Sequence, residues 1–570
     1  MADDPGFSAP YLASSRNSPP ASHFASHFAP SVQETALPTP AASRPSPLRS
    51  AKPKSTKAAP ATRAPAAETV VEASGNGHVN GSGKGTKRTD RPDGLPKGAE
   101  PMSKVDTAWL RLDTEANRMI IHGVLLLKPH VSLDDLRARV AERLLRFPRF
   151  RQRVVEAGDS AWWVEDAEVD ITRHVVPETL HRRRGRPLEG ALQDRLADLA
   201  AEPLDPSRPL WQLHLIEHYD GSSALIARVH HCIADGIALI AVLLSITDGG
   251  AMPAALPTTK SGKAGKVGKG AKAAVDDAEP EWLADAMVKP INAWTVREIQ
   301  EHAGSGQPDA SPAERLGKQV LKDAAALTEA PDDAKTRLKG KAGRAKRVAW
   351  GAPLPLDAVK AVGKSMNVSV NDVLLNCVAG ALGLYLRDHG DDTEGQEIRA
   401  LVPVNLRPLE TAWQLGNRFG MVPLPLPVGI TNPVKRLYAV HAQTQALKNS
   451  LQPALSMGLM ATSGSVEKAA QRAMLKTLSR KATALMTNVP GPAQALQLCG
   501  SAVERVMFWA PQAGDMSLGI SILTYAGQVQ FGLIADAGLC PDPERIVAHF
   551  APEFQQLLTL ALMLPWEVKD

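Results

Sequence analysis

Aromatic residues are scarce in this chain of 570 residues: Phe, Trp and Tyr together make up 4%. Cysteine is scarcer. Cys232, Cys377, Cys499 and Cys540 lie far apart without C-x-x-C spacing, which argues against a disulfide framework or a zinc knuckle and for a reducing compartment. Long apolar runs are also missing: stretches such as IALIAVLL at 237–244 fall well short of the roughly 18 to 20 residues of a bilayer span, so no transmembrane helix is expected. The opening MADDPGF has early acids and no apolar h-region, which predicts no secretory signal and a cytoplasmic location. A formal charge of +5, with no concentrated basic patch, gives no case for nucleic-acid binding.

Proline and glycine, by contrast, are plentiful, at 45 and 43 residues, and they are unevenly spread. Residues 1–101 are rich in Ala, Pro, Ser and Gly and carry no sustained apolar period, which predicts a disordered tail. Its second half has nine Lys or Arg against five acids, enough to consider contact with an anionic membrane, although a solvated tail is the plainer expectation. A second low-complexity stretch, rich in Lys, Gly and Ala, opens a crossover at 250–345. Two folded halves are then expected, at 102–249 and 346–565, each mixing α and β.

Within the first half, SLDDLRARVAERLL predicts a helix over 133–146 with Ser132 as its cap. WQLHLIEH (211–218) and SALIARVH (223–230) predict an antiparallel hairpin turning at Tyr219-Asp220-Gly221-Ser222. The apolar stretch after Gly236 predicts a buried helix of about ten residues. A strand-to-helix junction therefore carries RVHHCIADGIAL, residues 228–239, with His230, His231, Asp235 and Gly236 side by side. In the second half, SVNDVLLNCVAGALGLYL (369–386) predicts a helix in which Ser369 and Asp372 form a capping pair, a structural role for Asp372 that leaves Asn371 near a channel.

The junction admits several chemistries. A metal site is not expected, because adjacent strand residues point to opposite faces and a third ligand is missing nearby. Cys232 as a nucleophile needs a geometry that sequence neighbours at a strand end rarely have, so filling apolar space is its expected role. A histidine at a strand end, an acid four residues on and a glycine at the turn suit a general base. Spacing alone does not decide between that base and packed core histidines.

HHCIADG resembles the HHxxxDG motif of the chloramphenicol acetyltransferase-like superfamily. SKVDTAWL (103–110), PRFRQRV (148–154), EPLDPSRPLW (202–211), VSVNDVLL (368–375), VPVNLRP (402–408), GNRFG (416–420) and TNVPGP (487–492) follow in an order that resembles the bacterial wax ester synthase/diacylglycerol acyltransferase family. The resemblance runs from about Met102 to about Pro565. It implies an α/β fold of two chloramphenicol acetyltransferase-like halves with mixed sheets and the site between them. It also implies transfer of a fatty acyl group from long-chain acyl-CoA, a co-substrate and not a bound cofactor, to diacylglycerol or a fatty alcohol.

By the same resemblance His231 is the base, His230 supports it, and Asp235 points away from substrate to pair with an arginine that the sequence does not identify. Gly236 leaves room for the channel. Asn371, Trp211, Thr487 and Asn488 are the further substrate-binding candidates, the last two as oxyanion donors. Substrates of this kind come from a membrane or lipid-droplet surface, so peripheral attachment to the inner membrane or a droplet is expected. ALSMGLMA (454–461) is a candidate contact surface, with a buried helix as the plainer reading. Another CoA- or carrier-dependent acyltransferase, or a non-catalytic lipid-binding protein, are the alternatives. Acceptor preference and oligomeric state are not legible in the sequence.

Overall fold

The computed structural model describes residues 92–564 apart from 93, 183, 251–319, 328, 407–414, 449, 465–470, 472, 474–476 and 478. The expected tail and crossover lie mostly outside the described residues. Structure is described on the N-terminal side of Met102 too: Leu95 is buried, and Glu100–Pro101 pairs with Trp162 and Trp163 at the edge of a small three-stranded sheet.

The expected hairpin forms. Trp211–Tyr219 and Ser222–His230 pair antiparallel, and Asp220 and Gly221 turn the chain at φ 52° and 73°. Two consecutive positive φ values make a type I′ turn, whose twist matches that of the flanking strands. The helix after it spans Gly236–Ile246, with Asp235 as its N-cap: the carboxylate accepts from the Ala238 N–H. The helix expected over 133–146 is shorter, Leu133–Glu142, and a separate 3-10 turn covers Leu144–Arg146. Pro148 holds Phe147 in extended backbone, and the Arg143 guanidinium reaches across to the carbonyls of Ser245, Thr247 and Gly250.

The hairpin belongs to a six-stranded sheet ordered 497–498, 501–509, 120–128, 222–230, 211–219, 175–177. Its strand Ser501–Trp509 comes from late in the chain and pairs antiparallel with Ile120–Lys128. The two halves are therefore not separate in sequence, since the second completes the sheet of the first. A seven-stranded mixed sheet makes up the other side, running from Phe419–Leu426 through Ile398–Asn405, Ala484–Pro490, Leu518–Tyr525 and Gln528–Asp536 to Lys346–Trp350, with Leu354–Pro355 also paired to Gln528–Asp536. The helix Val370–Asp388 is buried against it and opens on the Ser369/Asp372 capping box; Asp372 also accepts from Thr444 and bonds His441. Asp372 is thus structural, as expected. No single helix among the described residues is long and apolar enough to cross a membrane.

Candidate active site

The six-stranded sheet ends where the chemistry begins. His230 is the last residue of its strand and His231 the first of the turn, so their rings have different surroundings. His231 is 4% exposed, and its imidazole stacks on Trp109 with ring centroids 4.2 Å apart and planes 11° apart. Phe419 packs against both rings, its centroid 5.6 Å from each. Burial pushes the His231 pKa down to about 4, so the ring is neutral at physiological pH. The His231 main-chain N–H donates to the Met119 carbonyl at 2.7 Å, which ties the turn to the neighbouring strand.

His230 takes the other direction. Its Nδ1 accepts from the Cys232 N–H, and its Nε2 lies 3.6 Å from Asp113, a carboxylate that also holds Arg118 and the Met119 N–H. His230 does not border the pocket that His231 lines. Cys232 is fully buried, and burial raises its thiol well above the ordinary cysteine range, which leaves it protonated and filling space. Asp235 borders the pocket while its carboxylate is held by main-chain N–H groups: Oδ1 by Ala238 and Oδ2 by Arg418 at 3.1 Å. Gly236 faces Phe508, whose ring would stand 3.4 Å from an added Cβ.

The pocket at His231 has about 750 Å³ of space and gathers residues far apart in sequence: Trp109, Asp235, Gly236, Phe419, Thr487 and Asn488. Thr487 and Asn488 sit on the strand Ala484–Pro490. The Asn488 amide donates to Asn371 Oδ1 at 2.7 Å, which places Asn371 next to the pocket on an adjoining cavity. Trp211 is not at the histidine. It is buried, donates from Nε1 to the Phe150 carbonyl and lines a separate apolar cavity beneath the helix Gly236–Ile246.

That cavity, about 770 Å³, shares Ile121 and Phe508 with the histidine pocket, and its lining is hydrocarbon and aromatic throughout. Strand alternation makes it so: Ile121, Gly123 and Leu125 on one strand, Ala227 and Val229 on the next, and Trp211 and Leu213 on the third all face it. A third cavity of about 730 Å³ shares Trp109, Phe419 and Met421 with the histidine pocket. The helix Gln452–Ser463 walls it with Ser456, Leu459 and Met460. This helix carries the ALSMGLMA stretch, and the buried-helix reading of it needs correction: only Pro453 and Ser463 are buried, and Leu459 is 44% exposed, because the helix packs on the strand Phe419–Leu426 and the helix Lys104–Leu112 and leaves its remaining surface to solvent.

Trp109, Phe419, Phe508 and Asn417 were not singled out by sequence reasoning. Three lay in quoted motifs, Trp109 in SKVDTAWL and Asn417 and Phe419 in GNRFG, yet nothing local signals that all three meet His231. The arrangement offers a neutral imidazole in a largely apolar pocket, polar groups on a strand that lines the same pocket, and two adjoining apolar cavities. That suits proton abstraction from a hydroxyl beside long-chain substrates.

Residues 102–374 match the wax ester synthase/diacylglycerol acyltransferase catalytic domain, and residues 415–558 match the C-terminal domain of the same family. A probable diacylglycerol O-acyltransferase of Mycobacterium tuberculosis, tgs1, is 27% identical over 434 residues, 74% of this chain and 87% of that protein. A second from the same organism, tgs2, is 26% identical over 482 residues, 79% of this chain and 97% of that protein. In fold, the chain is similar to the wax ester synthase/diacylglycerol acyltransferase from Marinobacter aquaeolei VT8, at a TM-score of 0.55 and 22% identity over 81% of this chain and all of that one. With both family domains matched in order across the two sheets, the chain belongs to the wax ester synthase/diacylglycerol acyltransferase family and is an acyltransferase.

Proposed function

We propose that this enzyme moves a long-chain acyl group from acyl-CoA to the hydroxyl of diacylglycerol or a long-chain alcohol, with His231 as general base. The observation that carries the reading is the position of His231: in a pocket that brings it together with Thr487 and Asn488 and adjoins two separate apolar cavities. An alcohol is a poor nucleophile at neutral pH, whereas a thioester is already activated. The His231 imidazole accepts the hydroxyl proton as the oxygen attacks the thioester carbonyl. When the tetrahedral intermediate collapses, the C–S bond breaks and the imidazolium returns the proton to the departing CoA thiolate. No covalent enzyme intermediate is needed.

Thr487 and Asn488 border the same pocket as His231 and are the groups we assign to the oxyanion. Asp235 and Gly236 shape the turn: the carboxylate caps the helix and fastens it to Arg418, and Gly236 leaves the pocket open beside Phe508. We assign the acyl chain to the cavity lined by Trp211, Gly123 and Leu239, where each buried methylene contributes roughly 0.8 kcal/mol. The acceptor then enters past Trp109 and Phe419, where the half-exposed helix Gln452–Ser463 stands at the cavity mouth. Both substrates are lipid-borne, which supports peripheral association with a membrane or lipid droplet.

The test is CoA release by the purified protein from palmitoyl-CoA, with hexadecanol and dipalmitoylglycerol compared as acceptors and His231→Ala as control. Release that depends on an acceptor and vanishes in the variant supports the reading, and the acceptor ratio identifies the product. Acyl-CoA binding without release would overturn it.

A further inference from the structure

His231 and Asn417 each have one buried polar atom, Nδ1 and Oδ1, that makes no regular hydrogen bond among the described residues. Elsewhere Asn417 is tightly held. Its Nδ2 donates to Asp106 Oδ1 at 2.8 Å and to the His231 main-chain carbonyl at 2.7 Å, and its own N–H donates to Asp106 Oδ1 at 3.1 Å. A carboxylate and a carbonyl can only accept, so the NH2 end of the amide must face them and Oδ1 must lie on the other side. Burial is the largest influence on the His231 ring and disfavours its proton; the residue's own main chain and, to a smaller extent, the Asn417 side chain work the other way.

The backbone on either side is fixed as well. Gly416 bridges to Ala234 and takes φ 105°, a conformation that L side chains rarely adopt, and Arg418 N–H donates to Asp235. Asn417 does not line the pocket, so it does not meet substrate.

Resting on the reading of His231 as the base, we propose that Asn417, braced by Asp106, is a positioning residue for acyl transfer: its amide holds the His231 main chain and takes the Nδ1 proton, leaving the Nε2 lone pair for the acceptor hydroxyl. Asn417 follows the crossover, whereas Asp106 and His231 precede it. The base is therefore set in its working tautomer by a residue brought from the far side of the fold.

The experiment uses full-length protein, selectively labelled with nitrogen-15 histidine, as wild type, Asn417→Ala, Asp106→Ala and His231→Ala. The ring signals are assigned to His231 by their loss in the last variant. We expect Asn417→Ala to lower kcat by about 100-fold with the KM for palmitoyl-CoA nearly unchanged, and to convert a single Nδ1–H tautomer into a mixture. Asp106→Ala should move both readings the same way by about tenfold in kcat, and it decides the question if Asn417→Ala does not fold. A folded variant with wild-type kcat and an unaltered tautomer overturns this inference alone. Undiminished CoA release in His231→Ala removes the base itself, and this inference with it.

Discussion

The two faces of the first sheet are made from the same three strands yet do opposite work. On one face the row Ile121, Val229, Trp211 and the next row Gly123, Ala227, Leu213 line the cavity assigned to the acyl chain. On the other, one residue along each strand, His122, Arg228 and Gln212 lie side by side with His214 beyond them, all but Gln212 buried. Gln212 Oε1 accepts from Arg228 and bonds His214, whose other ring nitrogen meets Glu178. Burial and the Arg228 charge together hold His122 down to about 3 and His214 down to about 4. Burial alone does not mark a functional face.

The comparison is most exposed to substitutions at the cavity end. His231→Ala should lower acceptor-dependent CoA release by about a thousandfold or more, while calorimetry shows little change in melting temperature. With His231 down to about 4, the acid limb of kcat/KM should fall near pH 4 and not at the ordinary histidine value near 6.5. On the cavity wall, Gly123 has only ordinary contacts at its missing Cβ, with Ala227 and the Met507 carbonyl both at 3.7 Å. Gly123→Leu should fill that space and shift the palmitoyl-to-octanoyl ratio of kcat/KM by roughly tenfold toward the shorter chain. An unchanged ratio would remove the acyl chain from this cavity.

The polar face, together with His231, should respond in stability. His122, His214 and His231 are neutral when folded and titrate near 6.5 when unfolded, so the unfolded chain binds more protons below that value. The stability they contribute is full above about 6.5 and is lost as pH falls toward 4. Melting temperature should accordingly drop between pH 7 and 4.5. The smallest effect is on the slope of that drop: Arg228→Met removes the positive charge that depresses both His122 and His214, brings their folded values nearer the unfolded one, and should flatten the curve without altering chain-length preference. A changed preference would mean that the two faces are not independent.

What the sequence revealed was local. The hairpin and its turn, the capping box at Ser369 and the helix after Gly236 each depend on a few neighbouring residues, and all are present. Thr487 and Asn488, candidates from the TNVPGP stretch, do border the pocket, and Asn371 adjoins it. Long-range pairings were not legible. The bond from Asn417 to the His231 carbonyl spans 186 residues, and no periodicity announces that Ser501–Trp509 crosses into the first sheet. Trp211 showed the limit of a motif's proximity: it flanks the histidines in sequence and pairs with Val229, but alternation turns it toward the acyl cavity.

The crossing strand also sets a timetable for synthesis. Until residue 509 has left the ribosome, the edge of Ile120–Lys128 has no partner on that side, and the apolar cavity lacks the wall that Val506, Met507 and Phe508 supply. A nascent chain with about 380 residues already made after that strand thus exposes an unpaired sheet edge and an open hydrocarbon trough, the combination most prone to aggregation or chaperone capture. A fragment ending before Ser501 should share that fate, and supplying 497–564 in trans is the direct way to rescue it.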